Sequence, residues 1–186
     1  RVANAFYEGD EAVVWACADV LREEYKRITD AGLTVQIDAP DIAEGWDQMN
    51  PEPSVEDYRA FSRVRIDALN HALEGIDPSL VRFHVCWGSW HGPHTTDIAF
   101  KDIVDLALLV NANGLTFEAA NARHAHEWTI WRDTPLPEGK YLIPGVVSHS
   151  TNVVEHPELV AQRIRQFADI VGDERVVAST DCGLGG

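Results

Sequence analysis

The order of elements predicts a parallel α/β fold, and three observations carry the expectation. Five short apolar runs, at 33–38, 81–88, 114–118, 141–147 and 175–182, alternate with segments of helical spacing. All connections between successive runs are long enough for right-handed crossovers. No interdomain linker, low-complexity tract or further repeat interrupts the 186 residues, so the chain reads as one domain over 1–186 with a sizeable core.

Taken in order, residues 11–30 predict a helix with Asp10 as N-cap, since Val13, Val14, Cys17, Val20, Leu21 and Ile28 recur at helical spacing and Gly32 stops the run. Cys17 sits on that apolar stripe as a small core residue. Leu33 to Asp38 is a strand ended by Ala39-Pro40, and Pro40 to Pro53 is a long loop of the kind that often carries function. Ser54 caps a second helix through about Leu73, with Tyr58, Phe61, Val64, Ile66 and Leu69 on its buried side. After the strand at 81–88, the Gly-, Trp- and His-rich segment Trp87 to His94 is a loop over the strand ends. A helix is expected from about Phe100 to Val110, a short one over 122–132, and an amphipathic one from Pro157 to Ile170 with proline in its first turn.

A formal charge of -15, with 30 Asp and Glu against 15 Lys and Arg, argues against a nucleic-acid partner, because no basic cluster offsets it. No apolar run approaches the roughly 20 residues that span a bilayer, and the N-terminus lacks a signal-peptide layout, so a membrane partner is not expected and a cytoplasmic location is. Three widely separated cysteines make no disulfide framework, which suits a reducing compartment where metal binding or catalysis is the usual employment of a thiol. Whether the chain self-associates is left open.

The chemistry concentrates at strand ends. His84 and Cys86 are two apart on an apolar strand and therefore project from one face. Glu118 ends the next run and Cys182 the last, so an imidazole, a carboxylate and two thiols sit where successive parallel strands converge. Zinc draws its four ligands from these types, and a structural zinc is disfavoured because its ligands usually sit on tight Cys-rich knuckles. Glu118 has a competing use as an ion-pair partner of Arg123, Asp38 as the cap of a turn, and His149 as a loop histidine satisfied locally. His91, His94, His124 and His126 fit no single face and are expected to be solvated or substrate-lining; Trp87 and Trp90 either stack on a flat substrate or roof the strand ends.

Ligand-bearing strand ends point to an eight-stranded barrel, which usually needs about 250 residues. Five strands cannot close it, so the chain is expected to be a piece lacking strands before Arg1 and a helix after Gly186. Val35-Gln-Ile-Asp-Ala-Pro40, His84-Val-Cys86, Leu115-Thr-Phe-Glu118, Pro144-Gly-Val146 with His149-Ser150, and Asp181-Cys-Gly-Leu184 together resemble, in the same order, the catalytic domain of cobalamin-independent methionine synthase. The resemblance covers nearly the whole chain and implies a TIM (βα)8 barrel of which these residues supply strands 4 to 8. It implies a Zn2+ ion held by His84, Cys86, Glu118 and Cys182, contact of Asp38 with the amino group of a homocysteine-like thiol substrate, and His149 as proton donor to a methyltetrahydrofolate-like methyl donor as it leaves.

Two departures bear on substrate. Ala39 stands where the family commonly has Glu, which leaves amino-acid recognition open. The Trp87 to His94 insertion looks more like the short relatives labelled methionine synthase II, and like epoxyalkane:coenzyme M transferase. The expected activity is therefore zinc-dependent methyl transfer to a thiol, with alkylation of coenzyme M by an epoxide, or a catalytically silent barrel module, as the alternatives. Little or no turnover is expected from these residues alone.

Overall fold

The computed structural model describes residues 4–89 and 93–184. Five strands, β1 (Val35–Asp38), β2 (Val81–Val85), β3 (Gly114–Phe117), β4 (Tyr141–Val147) and β5 (Ser179–Thr180), lie in the order β1-β2-β3-β4-β5 and pair in parallel throughout. Sequential order with every strand parallel is the arrangement of consecutive barrel strands, and the run does not close on itself. The register places Asp38 beside His84 and His84 beside Thr116, so the candidate residues share one row across three strands.

Strand periodicity explains how the sheet separates core from site. Val81, Phe83 and Val85 point to the helix-covered face, where each is at most 1% exposed. Full burial of a side chain such as Phe83 contributes on the order of 1.5–3 kcal/mol. Phe83 belongs to one continuous core with Ile66, Leu115, Leu142 and Phe167. His84, the residue between, faces the other way.

The helices α1 (Asp10–Asp30), α2 (Val55–Ala72) and α4 (Pro157–Val171) form as their periodicity predicts. The α2 cap is Ser54, whose hydroxyl accepts the Asp57 N–H at 3.0 Å; α4 starts on Pro157, with the His156 imidazole accepting the Glu158 N–H at 3.1 Å. The α1 N-cap is Gly9, and Asp10 is the first helical residue. Cys17 is exposed, contrary to its expected place in the core. The reason is that α1 leaves part of its apolar surface uncovered: Val20 is 73% exposed, and Phe6, Val13, Met49 and Phe61 line an adjacent hollow of 600 Å³.

Two expected helices are not regular. The 100–110 segment is a 3-10 turn (Phe100–Asp102) followed by the single-turn α3 (Val104–Ala107). There the Asp102 carbonyl, which a continuous helix would use internally, accepts from Arg59 at 2.5 Å instead. Residues Ala125–Arg132 form a 3-10 helix, preceded by an Asn121 side chain that accepts the N–H groups of Arg123 and His124 at 3.0 and 3.2 Å. The last strand is also shorter than the apolar run 175–182: β5 spans two residues, with one further bridge between Leu142 and Val176. No helix among the described residues is long and apolar enough to cross a membrane.

Candidate metal centre

Three side chains from two distant parts of the sequence meet at the C-terminal ends of the strands. His84 near the end of β2, Cys86 just beyond it and Cys182 just beyond β5 each offer one donor atom, and these atoms lie within 4.8 Å of one another. The Cys86 and Cys182 sulfurs are 3.8 Å apart. A disulfide requires about 2.05 Å, whereas two thiolates bound at about 2.3 Å to one tetrahedral ion stand roughly 3.8 Å from each other.

The imidazole is prepared for the same task. Its Nδ1 lies 2.7 Å from the Thr116 hydroxyl on β3, which fixes the ring plane. Its Nε2 is buried and has no hydrogen-bond partner among the described residues. An orphan of that kind costs about 1–3 kcal/mol, and a cation drawn to the free lone pair removes the cost. Burial holds the His84 pKa below the ordinary histidine value, against the opposing pull of Asp38, Glu118 and Asp181, which keeps the ring neutral as a ligand must be. The donor set of two sulfurs and one nitrogen suits zinc in particular.

Burial pushes the Cys86 thiol far above its usual pKa, and the nearby Cys182, Glu118 and Asp38 push the same way. The Gly88 N–H, which donates to Cys86 Sγ at 3.3 Å, opposes this. Gly88 takes φ +89°, open to glycine at little cost, and a Cβ there would lie 3.0 Å from the Glu44 carboxyl carbon. Cys86 is thus a neutral thiol until a cation replaces its proton.

Glu118 is 1% exposed but stands outside the three-donor group. Its Oε1 accepts the Trp87 N–H at 3.2 Å, while Oε2 accepts from Asn121 Nδ2 at 2.7 Å and pairs with Arg123 Nη2 at 3.1 Å. The ion pair anticipated as its competing use is therefore present, within electrostatic reach of His84 and Cys86. Asp38 is exposed and adjoins His84 in register. His149, after β4, is half-buried, and its Nδ1 is shielded from solvent with no hydrogen-bond partner among the described residues.

The other histidines divide. His126 is exposed, but the side chains of His94 and His124 are 1% and 4% exposed, so of the two roles expected of them, solvated or substrate-lining, the first does not hold. Asp97 lies between them, 3.0 Å from His94 Nδ1 and 3.3 Å from His124 Nε2, and Glu127 takes the other His124 nitrogen at 2.9 Å. His94, Asp97 and the exposed Asp47 make a second group of donor atoms within 4.8 Å. Trp87 is a buried wall: it packs on His124 at 4.1 Å between ring centroids, and its Nε1 donates to the Ile98 carbonyl at 2.8 Å. His91 and Trp90 fall outside the described residues.

Sequence reasoning gave no role to Asp181 and Asn121, both buried at the centre of this arrangement. An acid directly before a thiol at a strand end was the available signal.

A partial α/β barrel, with a His-Cys-Cys donor set gathered where its strands end, is the class of protein these features define. The chain belongs to the cobalamin-independent synthase family, whose catalytic-domain model matches residues 6–185. It is 29% identical over 150 residues to 2-hydroxypropyl-CoM lyase of Xanthobacter autotrophicus, covering 67% of this chain and 40% of that one. It is 30% identical over 176 residues to a methionine synthase of Methanothermobacter marburgensis, covering 94% and 48%. Among solved structures, a B12-independent methionine synthase from Shewanella sp. W3-18-1 in complex with selenomethionine shares the fold at TM-score 0.72 and 20% identity, over 97% of this chain and 50% of that one. The chain spans about half the length of the relatives it matches or less.

Proposed function

We propose that residues 1–186 are one partial-barrel catalytic unit of a zinc-dependent thiol methyltransferase that moves a methyl group from a methyltetrahydrofolate-like donor to a homocysteine-like thiol. The observation that carries it is the convergence of a His84 ring nitrogen, Cys86 Sγ and Cys182 Sγ. In this proposal those three hold the ion, with Glu118 as the fourth ligand once it gives up part of its hold on Arg123 and Asn121. Zinc bound there supplies the charge that removes the proton from a substrate thiol at neutral pH.

The remaining steps belong to the protein. Asp38, exposed beside His84, receives the substrate ammonium group. His84 keeps its orientation through Thr116, and the apolar wall behind β2 excludes water. As the new S–CH3 bond forms, the bond from methyl carbon to donor nitrogen breaks, and the leaving amine takes a proton from the His149 imidazole, which acts as general acid. The location this chemistry implies is the cytoplasm.

A second electrophile has specific support, the 29% identity to 2-hydroxypropyl-CoM lyase. With an epoxide in place of the methyl donor, the S–C bond forms, the C–O bond opens, and His149 protonates the alkoxide. Metal analysis combined with a panel of thiol acceptors, run on a complete barrel that contains these residues, tests the proposal. Methyl transfer to homocysteine that depends on one zinc per chain and disappears in Cys182→Ser supports it. Alkylation of coenzyme M alone supports the second electrophile, and a well-folded protein with no metal and no transfer supports a silent module.

A further inference from the structure

One buried carboxylate takes no part in the chemistry proposed above. Asp181 directly precedes Cys182 and is fully buried. Its Oδ1 accepts the backbone N–H groups of Ala119 and Ala120 at 2.7 and 2.8 Å, and its Oδ2 accepts Asn121 N at 2.8 Å and Asn121 Nδ2 at 3.0 Å. Its own N–H donates to the Val147 carbonyl at 2.9 Å. Asp181 thereby fastens the end of β5 to the turn after β3, across the end of β4.

The location matters because the β-ladder does not fix this end of the chain. β5 has two residues, and its register against β4 shifts between Gly145 and Val147. A metal ligand needs placement within about 0.5 Å, which a two-residue strand after a shifted register does not provide. Four N–H donors converging on one carboxylate do. The same Asn121 amide nitrogen also donates to Glu118 Oε2 at 2.7 Å, so one amide joins the carboxylate beside Cys182 to the carboxylate beside Cys86.

We propose that Asp181 is a positioning residue: its grip on residues 119–121 sets Cys182 against Cys86, and Asn121 couples that setting to Glu118. The proposal rests on the metal centre at His84, Cys86 and Cys182, and it assigns Asp181 no contact with substrate.

Titration of the protein with Co2+, followed by thiolate-to-cobalt charge-transfer absorption, separates this role from simple fastening. Asp181→Asn is expected to weaken Co2+ binding about 10–100-fold, the range seen when partners behind metal ligands are lost, and to remove about half of the charge-transfer absorption as one of the two thiolates drops out. In a Cys182→Ser background the same change is expected to add less than about twofold, because the residue through which Asp181 acts is gone. Equal losses in both backgrounds, or unchanged binding with both thiolates present, overturn the proposal. Asn121→Ala spares the three backbone donors but also loses the acceptor of the Arg123 and His124 N–H groups, so its folding is checked by circular dichroism; the folded variant is expected to weaken Co2+ binding by about tenfold, and unchanged affinity in it also overturns the proposal. Absence of sulfur-to-cobalt absorption in the unsubstituted protein removes the metal centre itself, and this inference with it.

Discussion

Cys86 and Cys182 stand with their sulfurs 3.8 Å apart, although 96 positions separate them along the chain. Their closeness is a product of the topology: β2 and β5 are both parallel to the two strands between them, so both chains leave the sheet at the same end. Two thiols at that separation, beside a buried imidazole nitrogen with no partner among the described residues, form a site whose polar atoms are satisfied by a cation.

Metal binding is predicted to strengthen as pH rises across the neutral range. Burial holds the Cys86 thiol protonated, so a cation must displace that proton, and a lower pH favours the thiol over the thiolate. Zinc affinity measured by competition with a chromophoric chelator from about pH 6 to 8 is expected to rise by about tenfold per unit for each proton released. A flat profile contradicts the neutral-thiol assignment.

Gly145→Ala is predicted to be disruptive out of proportion to one methyl group. A Cβ at this position lies 2.1 Å from Asp181 Oδ1 and 2.5 Å from its Cα, so β4 and the Asp181 segment must separate. Overpacking of this kind costs about 1–3 kcal/mol. Chemical denaturation is expected to show that loss together with weakened metal binding, because Cys182 moves with Asp181. Native stability and native affinity together contradict the close packing.

Stability is predicted to fall on the alkaline side through His124. Burial lowers its pKa, but the carboxylates of Asp97 and Glu127, which accept from its ring nitrogens, outweigh burial and raise it to about 9. A histidine raised in the folded state contributes fully below its unfolded value of about 6.5. The contribution is lost as pH climbs through the folded value near 9. Thermal melts between pH 6.5 and 9.5 are expected to show a declining Tm in the unsubstituted protein and a shallower decline in His124→Gln. Cys86 titrates in the same direction, so the difference between the two proteins is the informative quantity. Identical slopes contradict the assignment.

His149→Asn is predicted to slow transfer about 10²–10⁴-fold, the range for loss of a positioned proton donor, while metal content stays unchanged. Single-turnover measurement in a complete barrel that contains these residues, beside metal analysis, checks both halves. A variant that turns over normally contradicts the proton-donor role.

Much of this architecture was legible from residue spacing. Strand periodicity put His84 and Cys86 on one face, and the apolar runs gave five parallel strands in the order observed. The segment 100–110 was misread as a continuous helix because its apolar spacing carries no sign that Arg59, some forty residues earlier, would take the Asp102 carbonyl. Cys17 was misplaced for a related reason, since an apolar stripe does not say whether anything covers it. At the candidate site the ligand types stood out, but the hydrogen bonds of Asp181 to residues 119–121 are formed across the sheet and leave no periodic trace. Glu118 has two uses legible from its place at a strand end, and the pairing with Arg123 is present in the structure.

The zinc-edge X-ray absorption spectrum of the metal-loaded protein tests the central claim most directly. The account predicts two sulfur scatterers at about 2.3 Å and nitrogen or oxygen scatterers at about 2.0–2.2 Å, with one sulfur lost in Cys182→Ser. A first shell made only of oxygen and nitrogen, unchanged by that substitution, would contradict it.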